Sequence, residues 1–142
     1  MTTRVLVRSY GDPFHPANPV SNVVDNLVVG NSGNLLFGHA AARVLDTDAA
    51  DLTCWTDRQL RRRAGEINER FDRVVLPLAN AFRPGFVGQL RALTAMVRDL
   101  RIPVTVLGIG AQSDLDYTLD GDPRVAEAAR AFAAAVLDRS PS

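Results

Sequence analysis

Residues Ile102 to Gly110, I-P-V-T-V-L-G-I-G, decide the fold class. Within them Val104 to Ile109 (VTVLGI) is apolar at nearly every position. A run without alternation is the pattern of a parallel strand covered on both faces. Ile102-Pro103 ends whatever helix precedes it, because a proline pushes the residue before it out of helical backbone. One step upstream, Phe86, Leu90, Leu93, Val97 and Leu100 recur at helical spacing, with Pro84 at an N1-like position. Before that helix lies Val74 to Leu78 (VVLPL), a second buried strand in which Pro77 marks either the end of the strand or a sheet edge. Downstream, a polar acidic loop from Asp114 to Asp122 leads to Pro123. There a last helix opens with Val125, Ala128, Ala129, Phe132, Val136 and Leu137 inward.

The N-terminal half continues the alternation. Arg4 to Arg8 (RVLVR) reads as a strand ended by the turn signals Ser9 to Pro13. Tyr10 to Val24, with three prolines, is a connection long enough to be functional or to hide a short element, and Asn26 to Val29 is left open between states. From Asn34 the spacing turns helical, with Leu36, Ala40 and Val44 on one stripe and Leu35 and Phe37 widening it. Asp51 to Trp55 is a weak strand. Thr56 or Asp57 caps the next helix, which is expected to run to about Phe71. Its cluster Arg58, Arg61, Arg62 and Arg63 invites a phosphate-binding reading. Glu66 lies four residues after Arg62 and Arg70 four after Glu66, so a solvated face laced with ion pairs is the expectation. Strands alternating with helices make this an α/β chain with an open parallel sheet, a Rossmann-like three-layer domain spanning residues 1–142.

Composition narrows the chemistry. The 142 residues suit one domain with a substantial core. Sixteen basic and sixteen acidic side chains cancel, so no net field draws the chain to nucleic acid or an anionic membrane. Every basic residue is Arg, which excludes a Lys Schiff base or a P-loop Lys. With Cys54 alone there is neither a disulfide framework nor a thiolate metal site. No apolar run reaches the ~20 residues of a membrane span, and the N-terminus lacks a signal-peptide pattern, so a cytoplasmic location is the default.

Ligands of open parallel sheets bind beyond the carboxyl ends of the strands, and three segments belong there. Gly30-Asn31-Ser32-Gly33-Asn34 stands immediately before the first helix, where glycines allow close backbone approach and Asn31 and Asn34 both donate and accept. Ordinary capping and turn roles explain the same residues equally well. Asn80-Ala81-Phe82-Arg83 follows VVLPL, with Asn80 and Arg83 expected at the same edge. Gly108, Gly110 and Gln112 follow the best strand, where two glycines mean either tight helix–strand packing or close ligand approach. His15 and His39 are the only histidines, and Asp25, Asp114 and Asp116 are loop carboxylates with nothing to pair them for acid–base work. No HExxH, GxSxG or Walker A motif is present.

The order NLVVGNSGNLLF (26–37), FDRVVLPLANAF (71–82), IPVTVLGIGAQS (102–113) and AAAVLDRS (133–140) resembles the N-terminal half of the polysaccharide pyruvyl transferase family. The resemblance implies one lobe of a two-lobed, glycosyltransferase-B-like fold with the active site between lobes. It also implies phosphoenolpyruvate as donor substrate, no further cofactor and a sugar or glycan acceptor. Asn31, Gly33, Asn34, Asn80, Gly108, Gly110 and Gln112 would then line the acceptor side of the cleft. The family's donor-binding Arg and His groups are expected in the other half, so no catalytic residue carries over. The chain stops at Ser142, where an alternating fold would bring another strand, and so reads as a lobe cut short. Its expected partner is a second lobe supplied in trans or a second copy of the chain. Three readings stand side by side: a split or truncated pyruvyl transferase, a sugar- or nucleotide-binding module without catalysis, and an inactive remnant.

Overall fold

The computed structural model describes residues 2–9, 32–111 and 122–140. Four strands, β1 (Thr3–Arg8), β2 (Ala50–Trp55), β3 (Arg73–Pro77) and β4 (Val104–Leu107), form one sheet in the order β2-β1-β3-β4. All three pairings are parallel. Among the described residues five helices accompany them: α1 (Ser32–Leu45), α2 (Asp57–Leu60), α3 (Ala64–Arg70), α4 (Val87–Asp99) and α5 (Pro123–Leu137). The result is an open Rossmann-like three-layer α/β arrangement. No helix among the described residues is long and apolar enough to cross a membrane.

Strand alternation splits the core in two, because successive side chains leave opposite faces of a sheet. Leu6, Val74, Leu76 and Val104 point to one face and join Leu60, Ile67, Leu90, Val97 and Phe132 of the helices in the larger cluster. Val5, Val7 and Val75 point to the other, where Leu45 of α1 covers them. Of the helices among the described residues, four therefore share one face and α1 lies on the second.

Several local expectations shift. In α1 the stripe Leu36, Ala40, Val44 faces outward, with Leu36 70% and Val44 79% exposed. The buried stripe is Gly38, Ala41 and Ala42. A Cβ on Gly38 would lie 3.1 Å from Ser9 Oγ, so small residues are what let this helix sit close to the end of β1. The helix expected from Thr56 to Phe71 is two pieces. Gln59 Oε1 accepts from the Thr56 amide at 2.8 Å and its hydroxyl at 2.9 Å, which fixes the start of α2. The helical path then breaks at Arg61–Arg63, with Arg62 at φ 60°. Carried through as one helix, Arg58, Arg61 and Arg62 would stack like charges at i,i+3 and i,i+4, which disfavours continuation. After the break, Arg63 and Arg70 both lie against the Trp55 ring, at 5.6 and 5.5 Å.

VTVLGI, the most strand-like run in the sequence, lies at the edge of the sheet. Only Val104 of β4 is fully buried. The strand ends two residues early, at Gly108 (φ 58°). Pro77 closes β3 in the sheet interior, past the last β1 pair Val7–Val75, while the pairing with β4 runs on through Leu78. Pro84 begins a 3₁₀ turn, Pro84–Phe86, that runs into α4.

Candidate functional site

The chain leaves β1 for β2 on one side and later returns to β3 on the other, so the order of the sheet reverses between β1 and β3. A crevice opens at the carboxyl ends of such a pair. Here it is walled by Arg8 and Ser9 from β1, Phe37 and Gly38 from α1, and the segment after β3 with Asn80 and Arg83. Its free volume is about 10 Å³, room for one water-sized group.

Two arginines meet in this crevice with different commitments. Arg8 is 3% exposed. Its Nε and Nη2 donate to the two carboxylate oxygens of Asp57 at 2.6 and 2.7 Å, and its Nη1 donates to the Pro77 carbonyl at 2.8 Å. Gln89 of α4 donates to the same carboxylate. A bidentate pair of this kind is strong and directional. It ties the ends of β1 and β3 to the starts of α2 and α4, so Arg8 is a fixed part of the wall. Arg83, half-buried, has its guanidinium 5.9 Å from the Phe86 ring centre. Its Nε is buried and has no hydrogen-bond partner among the described residues. A buried donor left unsatisfied costs about 1–3 kcal/mol, and a ligand oxygen would offset that cost.

The loops after β3 and β4 are joined. Leu78 N donates to Leu107 O (3.1 Å), Gly110 N to Ala79 O (2.6 Å) and Phe82 N to Gly110 O (3.0 Å), with Phe82 bridging Ala111 in parallel. Asn80 and Gly110 are thus brought to one edge, as the sequence led one to expect. Ala79 takes a φ of 38°, a left-handed backbone that a non-glycine residue adopts at a cost. Gly108 has a different reason to be glycine. A Cβ there would lie 2.7 Å from Phe37 Cζ, so the space a side chain would fill is taken by the α1 phenylalanine. Among the described residues a Cβ at Gly110 would meet only the Ala79 carbonyl, at 3.7 Å.

Gly33 and Asn34 fall in the first turn of α1, which starts at Ser32 rather than after Asn34. Gly30, Asn31 and Gln112 lie outside the described residues, as do His15, Asp25, Asp114, Asp116 and the segment 26–29. His39 sits exposed on α1. Sequence reasoning placed Arg83 at this edge and passed over Arg8, Ser9 and Phe37. The single arginine ending an apolar strand was the signal available for Arg8.

Perturbed carboxyls lie away from the crevice. Hydrogen bonds from the Arg4 side chain and amide bring Asp72 down to about 2. Arg124, through its side chain and then its amide, lowers Asp122 at the start of α5. Among the described residues no group of His, Cys, Asp or Glu could hold a metal ion. Among the described residues the crevice presents arginine and backbone donors, and the Asp57 carboxylate behind them is taken up by Arg8 and Gln89. Comparison with family models, with curated proteins and with solved structures returns no match.

Proposed function

We propose that this chain is the substrate-holding lobe of a polysaccharide pyruvyl transferase-like protein, taking an oxyanion of its substrate into the β1/β3 crevice. The observation that carries the reading is Arg83, whose Nε is buried in the crevice wall with no hydrogen-bond partner among the described residues. A slot the size of one water admits a carboxylate or phosphoryl oxygen but not a sugar ring. The body of the ligand therefore lies outside, over Asn80 and the joined loops. The resemblance of segments 26–37, 71–82, 102–113 and 133–140 to the transferase family supplies the reaction class.

That reaction protonates the methylene of phosphoenolpyruvate, forms two C–O bonds from sugar hydroxyls to the adjacent carbon, and breaks its bond to phosphate. It needs a general acid, a base and stabilisation of a cationic carbon. Asp57, bonded to the crevice residue Arg8, is already held by Arg8 and Gln89. On this reading the acid–base groups come from a second lobe or a second copy. The alternative is a sugar- or nucleotide-binding module that performs no chemistry, which the donor-lined crevice suits equally.

Calorimetric titration with phosphoenolpyruvate, a sugar phosphate and the neutral sugar tests the proposal. An anionic ligand is expected to bind, and Arg83→Met to weaken it roughly tenfold or more, the worth of one charged hydrogen bond, without lowering the melting temperature. Equal affinity for the neutral sugar would remove the anion-recognition claim. Pyruvyl transfer by the isolated chain would remove the need for a second lobe, whereas binding that never leads to transfer, even with candidate second lobes added, would leave the binding-module alternative.

A further inference from the structure

The Arg58–Arg63 cluster was expected to be neutralised by ion pairs along a helix, and it is so only in part. Glu66 is shared by Arg63 at 3.5 Å and Arg70 at 2.6 Å, and does not reach Arg62. Arg61 and Arg62 make no ion pair among the described residues, and neither does Arg101 at the foot of α4. All three line one trough of about 840 Å³ between α3 and α4, in which Asp99 is the lone lining carboxylate.

The trough exists because the helix layer is unevenly closed. α4 packs along α5 extensively but barely meets α3. Near the foot of the trough, Asn68 ties the two helices, donating to Asp99 O at 3.1 Å and accepting from Arg101 N at 2.7 Å. Above that tie the floor is Ala92, Ala95 and Met96, with Gly65 opposite. Small residues let a further helix approach closely, at an interaxial distance of ~8 Å rather than ~10 Å. Arginines stand at both ends, Arg61 and Arg62 before α3 and Arg101 after α4. The seven residues of α3 separate these ends by ~10 Å, about two helical turns. The left-handed Arg62 keeps a strained backbone at this rim, and such strain persists where surrounding structure or function maintains it.

We propose that the α3/α4 trough docks an acidic amphipathic helix of a partner protein, its small or apolar side on the Ala92–Met96 floor and its carboxylates on Arg61, Arg62 and Arg101. Three cations against one anion set the sign of the partner. The apolar floor favours a helix over a polyanion, which would instead seek backbone N–H groups and a continuous basic track. The inference does not depend on the crevice reading.

The test is a fluorescence-anisotropy titration of the whole chain with a labelled synthetic helix of about 18 residues, Ala and Leu on one side and Glu on the flanks. Binding is expected to weaken roughly tenfold or more in Arg61→Glu/Arg62→Glu/Arg101→Glu, within the range of interface hot spots. It should return when the peptide's Glu residues are changed to Lys. Filling the floor with Ala95→Trp should also weaken it. If the triple variant does not fold, Arg101→Glu alone and amide shift mapping of the unmutated chain carry the test. Equal binding of a peptide with the same composition but Glu scattered around the helix would overturn the proposal. So would tighter binding of a single-stranded oligonucleotide through the same arginines, or no binding of the designed helix. Arg83→Met is expected to leave the peptide affinity unchanged, and a loss there would also count against a separate site.

Discussion

On one face of the sheet Leu6, Val74, Leu76 and Val104 meet four helices, and the buried chain of contacts runs from Trp55 through Leu90 to Phe132. On the other, Val5, Val7 and Val75 meet one helix that buries glycine and alanine. Burying a large aliphatic or aromatic side chain stabilises by about 1.5–3 kcal/mol, so the first face carries most of the hydrophobic stabilisation. The second owes its form to close approach. One face tolerates loss of volume poorly, and the other tolerates added volume poorly.

Truncation on the crowded face should give the largest effect. Phe132, 2% exposed between α4 and the sheet, is expected to cost about 3–5 kcal/mol as Phe132→Ala. Leu36→Ser on the outer stripe of α1 should stay within about 0.5 kcal/mol. Urea denaturation of both variants measures the contrast, and equal losses would erase the distinction between the faces.

Next comes the ion pair at the switch between β1 and β3. Arg8→Met leaves Asp57 partly buried beside Gln89 alone, and breaking a buried pair from one side costs about 3 kcal/mol. Arg8→Met/Asp57→Leu should recover most of that loss. A double variant as unstable as the single would mean that Arg8 acts through packing or through the Pro77 carbonyl instead.

On the sparse face, Gly108→Ala should cost about 1–2 kcal/mol for the left-handed backbone alone, with the collision against Phe37 added. Repeating it in a Phe37→Ala background should shrink the penalty. Additive losses would show that the ring gives way without strain.

The smallest expected effect sits at neither face but at the amino end of the sheet. Asp72, held near 2 by Arg4, lies below the 3.8 of an ordinary aspartate, so its folded form binds its proton less readily than the unfolded one. Its contribution is present above pH 3.8 and is lost as the pH falls toward 2. Asp72→Asn should therefore flatten the stability profile across that window, and an unchanged acid limb in a pH-melting series would exclude it. Solvent exposure of both side chains keeps the effect small.

The strands and the order of the chain were legible because apolar runs and their Gly/Pro punctuation are local. What α1 buries was not, since Leu36–Ala40–Val44 and Phe37–Ala41 are both apolar stripes. The choice between them falls to a tertiary fact, the approach of Gly38 to Ser9. VTVLGI read as covered on both faces, yet only Val104 of it is fully buried, because composition cannot distinguish an edge strand from an inner one. Asn80 and Gly110 were placed at the right edge by strand polarity alone. The use of Gly108 by Phe37 joins residues 71 positions apart, and no periodicity carries that information.

The rungs that join Leu78 to Leu107, Ala79 to Gly110 and Gly110 to Phe82 extend the sheet past its own last residues. In mechanical terms the two loops form one stiff lip rather than two free tips. A molecule resting on Asn80 therefore pushes against β4 as well as β3. Any closure over the crevice must come from a wall that faces this lip, because the lip itself has little freedom to fold down.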